Sequence, residues 1–318
     1  MAEKRAIELL ETKIQELCEL NKMEEIDMSS EIVLLEEKLE ALKIRTYSNL
    51  SDWERVKLAR HPERPYALDY IDKAFADFYE LHGDRIIGDD RALLVGLAQL
   101  QGKPVVLLAQ QKGHSTEENK ERYFGMARPQ GYRKAKRIMA LAERFSFPLI
   151  SLIDTPGAYP GLEAEEFNIG GAIANNLLTM VTLQTPTIAV IIGEGGSGGA
   201  LAVGVADRVL MLENATYSVI SPEGASAVLW KDKGKTRQAA NALNLTAEHL
   251  LKLEVIDEVI PEPLGGAHKD PQKTIASFKE VLMRHFAEVC DTPSEELLSA
   301  RYKRYRSFGC YRTLSDHL

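Results

Sequence analysis

Between residues 92 and 212 short apolar runs alternate with amphipathic ones, and this alternation confines the chain to a layered α/β core. Residues 92–100 and 104–110 read as strands joined by a Gln101-Gly102-Lys103 turn, which makes a hairpin. Residues 131–144 read as a helix, 148–154 as a short buried strand, 164–183 as a helix and 186–192 as another apolar strand. A short helix over about 198–206 and a strand over 208–212 follow. The recurring unit is strand, strand, helix. That departs from the strand, helix unit of a doubly wound nucleotide fold. Further helices are expected near 223–230 and 246–253, and a helical tail from 272 to about 305.

Ahead of this core, Ile7, Leu10, Ile14 and Leu17 recur at a 3-4-3 spacing, and Ile32, Leu35, Leu39 and Leu42 repeat it. Each set puts an apolar seam on one helix face. The polar stretch from Asn21 to Ser30 separates the two, so residues 1–45 form an N-terminal helical hairpin. It packs on itself or the main body, or serves as an arm that grips another subunit. His61-Pro62-Glu63-Arg64-Pro65 is a loop signal, because two prolines forbid a continuous helix. Residues 69–79 then read as helical. The organisation expected is a hairpin (1–45), a main domain (46–290) and a helical tail (291–318).

Lys and Arg number 39 and Asp and Glu 47, a net charge of −8, so the chain is not a general nucleic-acid binder. The longest apolar runs fall far short of the ~18 residues a membrane span needs. The start, Met1-Ala-Glu-Lys-Arg, has no signal-peptide core. Cys18, Cys290 and Cys310 are odd in number and contain no C-x-x-C. They exclude a zinc ribbon and a disulfide framework and fit a reducing cytoplasm.

The richest signal is Gly193-Glu194-Gly195-Gly196-Ser197-Gly198-Gly199-Ala200, with five glycines in seven residues between an apolar strand and a helix. Glycine lets the backbone turn sharply and brings bare N–H groups close to a ligand. The structural alternative is a tight strand-to-helix turn with no ligand. Gly193-x-Gly195-x-x-Gly198 fits a dinucleotide fingerprint, with Glu213 further on, but the following helix is short for a crossover. Gly195-x-Ser197-x-Gly199 fits a nucleophile elbow, with Asp257 and His268 in the right order, but no recognisable strands carry them. A P-loop fails, since no Gly-Lys-[Ser/Thr] follows. A fourth reading needs backbone alone: the N–H groups of Gly198 and Gly199, with Ala200 beside them, aimed at a developing oxyanion.

Three segments carry a resemblance. They are Asp154-Thr155-Pro156-Gly157-Ala158-Tyr159-Pro160-Gly161, the glycine segment through Ala202, and Tyr217-Ser218-Val219-Ile220-Ser221-Pro222-Glu223-Gly224. With Ala59-Arg60-His61-Pro62, Arg64-Pro65-Tyr66, Asp69-Tyr70, Gly131-Tyr132-Arg133-Lys134 and the run from Ile260 to His268, the chain resembles the alpha-subunit family of bacterial-type acetyl-CoA carboxylase carboxyltransferases. The likeness covers roughly residues 45–310.

The resemblance implies an α/β crotonase-like (ClpP/crotonase) fold of repeated ββα units. It implies transfer of a carboxyl group from carboxybiotin, held on biotin carboxyl carrier protein, to acetyl-CoA, giving malonyl-CoA for fatty acid synthesis. It implies an α2β2 assembly whose beta subunit carries a zinc ribbon, no metal in this chain, and a separate biotin carboxylase. By the same resemblance, the amides of Gly198 and Gly199 face the biotin ureido oxygen. Gly195, Gly196 and Ala200, together with Gly157, Ala158 and Tyr159, line the carboxybiotin side; for the last three, a rigid Pro/Gly turn is the alternative. A stand-alone crotonase-like hydratase or decarboxylase would need two oxyanion pairs in one chain, and one glycine site is visible. A non-catalytic RNA-binding regulator is disfavoured by the acidic balance.

Residues 120–137 hold Lys120, Arg122, Arg128, Arg133, Lys134, Lys136 and Arg137 against Glu121 alone. Arg128, Arg133 and Lys134 are candidates for the phosphates of coenzyme A, and a solvated helix face is the alternative. A second basic run, Arg301 to Arg306 with Tyr302 and Tyr305, reads as partner packing or solvent. His114 is a lone histidine, more often structural than functional. Glu223 is read as a local hydrogen-bond acceptor, and neither it nor Glu194 is needed as a base.

Overall fold

The computed structural model describes residues 2–23 and 28–309. Part of the expected interhelical segment, Cys310 and the end of the expected tail lie outside the described residues. Helices α1 (Ala2–Met23) and α2 (Ser29–Tyr47) pack against each other. Ile7, Leu17 and Ile32 from the two seams are buried, and Lys43 Nζ closes on Glu11 at 2.7 Å.

Helix α3 (Asp52–Ala59) opens on a reciprocal cap, Glu54 N–H to Ser51 Oγ and Ser51 N–H to the Glu54 carboxylate at 3.1 Å. After the proline loop, α4 (Ala67–Ala74) starts with Tyr66 N–H on Asp69 at 2.7 Å. The helix expected over 69–79 stops at Ala74, and β1 (Ala76–Glu80) takes its place. This is a short edge strand with mostly solvent-facing side chains and a bulge at Asp77, where φ is 51°, and Phe78 is the apolar side chain it turns onto the core.

The hairpin forms as expected, β2 (Leu93–Leu100) against β3 (Lys103–Gln110), in register from Leu93↔Gln110 to Leu100↔Lys103. Gln101 and Gly102 turn it with φ of 52° and 74°. Then come α5 (Thr116–Glu121), α6 (Pro129–Phe145) and the wholly buried β4 (Leu149–Thr155). The helix expected over 164–183 is two, α7 (Leu162–Glu166) and α8 (Ile169–Thr182). Between them Asn168 takes a left-handed φ of 59° and caps Gly171 N–H at 2.9 Å. The chain continues through β5 (Thr187–Gly196), α9 (Ser197–Leu201), β6 (Arg208–Leu212), β7 (Thr216–Ser218), α10 (Pro222–Trp230), α11 (Thr236–Leu243), α12 (Ala247–Lys252) and β8 (Glu258–Ile260).

The eight strands make one sheet in the order β1-β2-β3-β4-β5-β6-β8, with β7 pairing β5 beyond the main ladder. The first three strands are antiparallel and every later pairing is parallel. Helices cover the central strands, which explains their continuous apolar runs.

The expected tail is also two helices, α13 (Pro271–Cys290) and α14 (Ser294–Ser307), broken at Pro293. Its basic run is split: Tyr302, Lys303 and Arg306 are exposed, as expected, whereas Arg301, Arg304 and Tyr305 turn toward the main domain. Arg301 is buried, with its guanidinium on both Asp207 oxygens at 2.7 and 2.8 Å and on the carbonyls of Met180 and Leu183. Arg304 pairs with Asp257, and the Tyr305 hydroxyl accepts from Ala206 N–H at 2.8 Å.

Candidate active site

Parallel strands end on the same side of a sheet, so β3, β4 and β5 deliver three chemistry-bearing segments to one rim. At that rim Asp154 Oδ1 accepts from the Glu194 N–H at 2.9 Å and from Lys112 Nζ at 2.7 Å. Lys112 also reaches Glu194 Oε2 at 3.1 Å. On the other side of Glu194, Arg60 donates to its carboxylate at 2.6 Å and to Glu223 at 2.6 Å. The result is an alternating chain, Asp154, Lys112, Glu194, Arg60, Glu223, that ties α3, α10 and the three strand ends together.

Their neighbours hold Lys112, Glu194 and Glu223 ionised. Burial pulls the Lys112 pKa down, but Asp154 and Glu194 outweigh it and push it up to about 12. Burial raises the Glu194 carboxyl, and Lys112 and Arg60 more than reverse this, leaving it below its usual range. Glu223 is likewise held low, against burial, by its bond from Arg60. It is the acceptor the sequence led us to expect.

The glycine segment lies on top of this chain. Ser197 sits at a left-handed φ of 51°, a strained setting for a residue with a side chain, and is exposed. Helix α9 begins there and has five residues, shorter than expected, so its macrodipole is slight and the amides themselves are the useful donors. Among the described residues, the N–H groups of Gly198 and Gly199 meet no hydrogen-bond acceptor. The two glycines differ in their surroundings. A β-carbon on Gly199 would stand 2.5 Å from Ala158 N, because the bend is pressed against the 156–158 loop. A β-carbon on Gly198 would meet only Ile173, at 3.7 Å. The Gly199 carbonyl is pinned by Gln110 Nε2 at 2.8 Å, which fixes the peptide plane it shares with Ala200. Gly195 and Gly196 border a small cleft of about 20 Å³ with Arg60, Pro156 and Ser218, room for one water.

The structure brings Gly157 and Ala158 against this bend. Tyr159 is fixed nearby, its N–H on the Ala127 carbonyl at 3.0 Å and its ring 5.1 Å from that of Tyr123. It does not bring the three basic candidates together as free cations. Lys134 is wholly buried with Nζ on Asp89 at 2.5 Å, so it has no ammonium left for a phosphate. Arg128 lies over the Tyr123 ring at 4.5 Å, and Arg133 donates to Asp84 at 2.9 Å. His114 is exposed, 3.3 Å from Asp69. Of the elbow partners, Asp257 pairs with Arg304 and His268 stacks on His61, so Ser197 has no relay. Sequence reasoning missed Lys112 and Arg60. The signal for Lys112 was a charged residue directly after a continuous apolar strand, at the end where such sheets bind ligands.

A family described as acetyl co-enzyme A carboxylase carboxyltransferase-like matches residues 1–309. The chain belongs to this family. The acetyl-coenzyme A carboxylase carboxyl transferase subunit alpha of Methylococcus capsulatus is 52% identical over 302 residues, covering 95% of this chain and 94% of that protein. The protein of the same description from Halalkalibacterium halodurans is 49% identical over 307 residues, covering 96% and 94%. Among solved structures, the transcarboxylase 12S hexamer core with methylmalonyl-coenzyme A has a TM-score of 0.56 at 20% identity, over 80% of this chain and 44% of that one. A Pseudomonas malonate decarboxylase hetero-tetramer with coenzyme A has a TM-score of 0.57 at 18% identity, over 70% of this chain and 89% of that one. The expected crotonase-like fold is therefore the fold of this family member, and among the described residues no helix is long and apolar enough to cross a membrane.

Proposed function

We propose that this chain is the alpha half of a cytoplasmic carboxyltransferase that carries a carboxyl group from carboxybiotin, on its carrier protein, to acetyl-CoA, with a zinc-ribbon beta subunit completing an α2β2 assembly and a biotin carboxylase recharging the carrier. Identity near one half over almost the whole chain supports the reaction. The single observation that carries the site is the pair of unspent amides at Gly198 and Gly199.

When bound, carboxybiotin supplies carbon dioxide and a nitrogen basic enough to take a methyl proton from acetyl-CoA. This chain's part is to hold the charge left on the ureido oxygen. Two prearranged N–H donors do so without reorganising, and losing one such donor typically costs about 3 kcal/mol in the transition state. The open space at Gly198 fits an incoming oxygen, and the pressed side at Gly199 fixes the donor geometry. Gly157, Ala158 and Tyr159 wall the carboxybiotin side. The beta subunit would supply donors for the thioester oxygen. Leu162, Leu178, Leu201 and Val219, from the segments around the bend, are exposed, as expected of a face that a partner covers.

The test is malonyl-CoA formation after reconstitution with a beta subunit and biotinylated carrier. Gly198→Pro removes a donor at a position with room, so kcat should fall by roughly 10²–10³ while the fold survives. Unchanged turnover in a folded variant would overturn the site.

A further inference from the structure

The glycine bend is held differently along its length. Up to Gly196 it belongs to the sheet: Gly195 pairs with Thr155 of β4, and Gly195 and Gly196 pair with Tyr217 and Ser218 of β7. From Ala202 on, the chain is held by its own turns, with Ala202 N–H on the Gly198 carbonyl at 2.9 Å and Val203 N–H on that of Ala200 at 3.2 Å. Ser197, Gly198 and Gly199 lie between these two supports. Two of the three are glycines, whose backbone is the freest of any residue, so this stretch needs a restraint from outside.

The Gly199 carbonyl receives that restraint. Among the described residues it accepts from no main-chain N–H, because Val203 bonds to Ala200 instead. It accepts from Gln110 Nε2 at 2.8 Å and, at a longer 3.5 Å, from the Tyr132 hydroxyl. Among the described residues these are the side-chain bonds made to the main chain of residues 197–200. Gln110 is the last residue of β3, completely buried, with its main chain fixed opposite Leu93. Its Oε1 is buried without a partner. Buried polar atoms are nearly always paired, and a Met or Leu would fill the same space without stranding an oxygen. The chain thus keeps an orphaned oxygen in order to place one N–H.

We infer that Gln110 is a positioning residue for carboxyl transfer: through its bond to the Gly199 carbonyl it sets the Gly198 and Gly199 amides in register with the rigid sheet. It acts through the main chain. The bond fixes the peptide that follows the Gly199 α-carbon, and the 156–158 loop packs against the same residue. Prearranged donors accelerate a reaction because they need not reorganise as charge develops, so a bend free to shift loses rate and not substrate affinity. The effect on rate rests on the reading of this bend as the carboxybiotin site.

The test is malonyl-CoA formation by the full chain carrying Gln110→Met, reconstituted with a beta subunit and biotinylated carrier. Met keeps the length of the side chain and removes the donor. It also removes the orphaned Oε1 and leaves the Gly199 carbonyl with the long Tyr132 contact, so one unpaired oxygen replaces another and the melting temperature should change little. The kcat should fall roughly ten- to a hundredfold, the range expected when donors are misplaced by up to about 1 Å, with KM for acetyl-CoA unchanged. Gln110→Leu is the second variant, in case Met does not fold. Gly198→Pro in the same assay keeps the two readings apart. Wild-type turnover in a folded Gly198→Pro overturns the bend as the site and this inference with it. Beside an impaired Gly198→Pro, a folded Gln110 variant with wild-type kcat, or one whose loss lies in KM, overturns this inference alone.

Discussion

The Asp154 carboxylate occupies the space a side chain on Gly193 would need, with Oδ1 only 2.4 Å from the position of a β-carbon there. The same oxygen accepts the Glu194 N–H and the Lys112 ammonium, so it fixes the start of the bend from below.

Gly193→Ala should therefore act through Asp154. The added methyl must push the carboxylate away from both donors, and overpacking of this kind costs about 1–3 kcal/mol. The expected outcome is a lower melting temperature together with a fall in kcat of the reconstituted complex, KM for acetyl-CoA changing little. A variant that keeps wild-type kcat would show that the bend does not depend on this contact.

That contact also shows where the sequence was legible. The hairpin and the strands feeding the bend were readable because their signals are local: alternation, a Gln-Gly turn, apolar runs of strand length. The glycine segment was readable because so many glycines together have few other uses. Lys112 was not, since its partners lie 42 and 82 residues away and nothing local tells a buried ammonium from a solvated one. The run over 120–137 misled in a related way. Charge counted within the window found Glu121, but the carboxylates that neutralise Lys134 and Arg133 are Asp89 and Asp84, both upstream of it. The edge strand β1 was hidden because it is five residues long and most of its side chains face solvent, Phe78 being the apolar one packed on the core.

Arg64 and Glu262 explain why two distant segments of the family pattern, around the proline loop and the run from Ile260, belong together. Their side chains are fully buried and doubly bonded, at 2.5 and 3.0 Å, and Arg64 Nε also donates to the Ile192 carbonyl at 2.8 Å. Breaking a buried pair strands a charge, at a cost of about 3–5 kcal/mol. Glu262→Gln and Arg64→Met should each cost that much in urea denaturation, while the double variant Arg64→Met/Glu262→Gln should cost clearly less than the sum. Simple additivity would mean that the pair is not a coupled unit.

The last prediction concerns acid. The His268 ring stacks on His61 with centroids 3.7 Å apart. Burial first, then the charges of His61, Lys269 and Arg64, push the His268 pKa down from 6.5 to about 4, with Glu262 opposing. His61 is also lowered, chiefly by burial, with Glu63 opposing. A histidine whose folded pKa is depressed takes up its proton more readily when unfolded, so it costs nothing at neutral pH and erodes stability as pH falls from about 6.5 toward 4. His268→Phe keeps a ring for the stack and removes the proton site. Melting temperatures measured from pH 7 to pH 5, above the range where most carboxylates titrate, should decline more steeply for the native chain than for the variant. Parallel curves would place the acid sensitivity elsewhere.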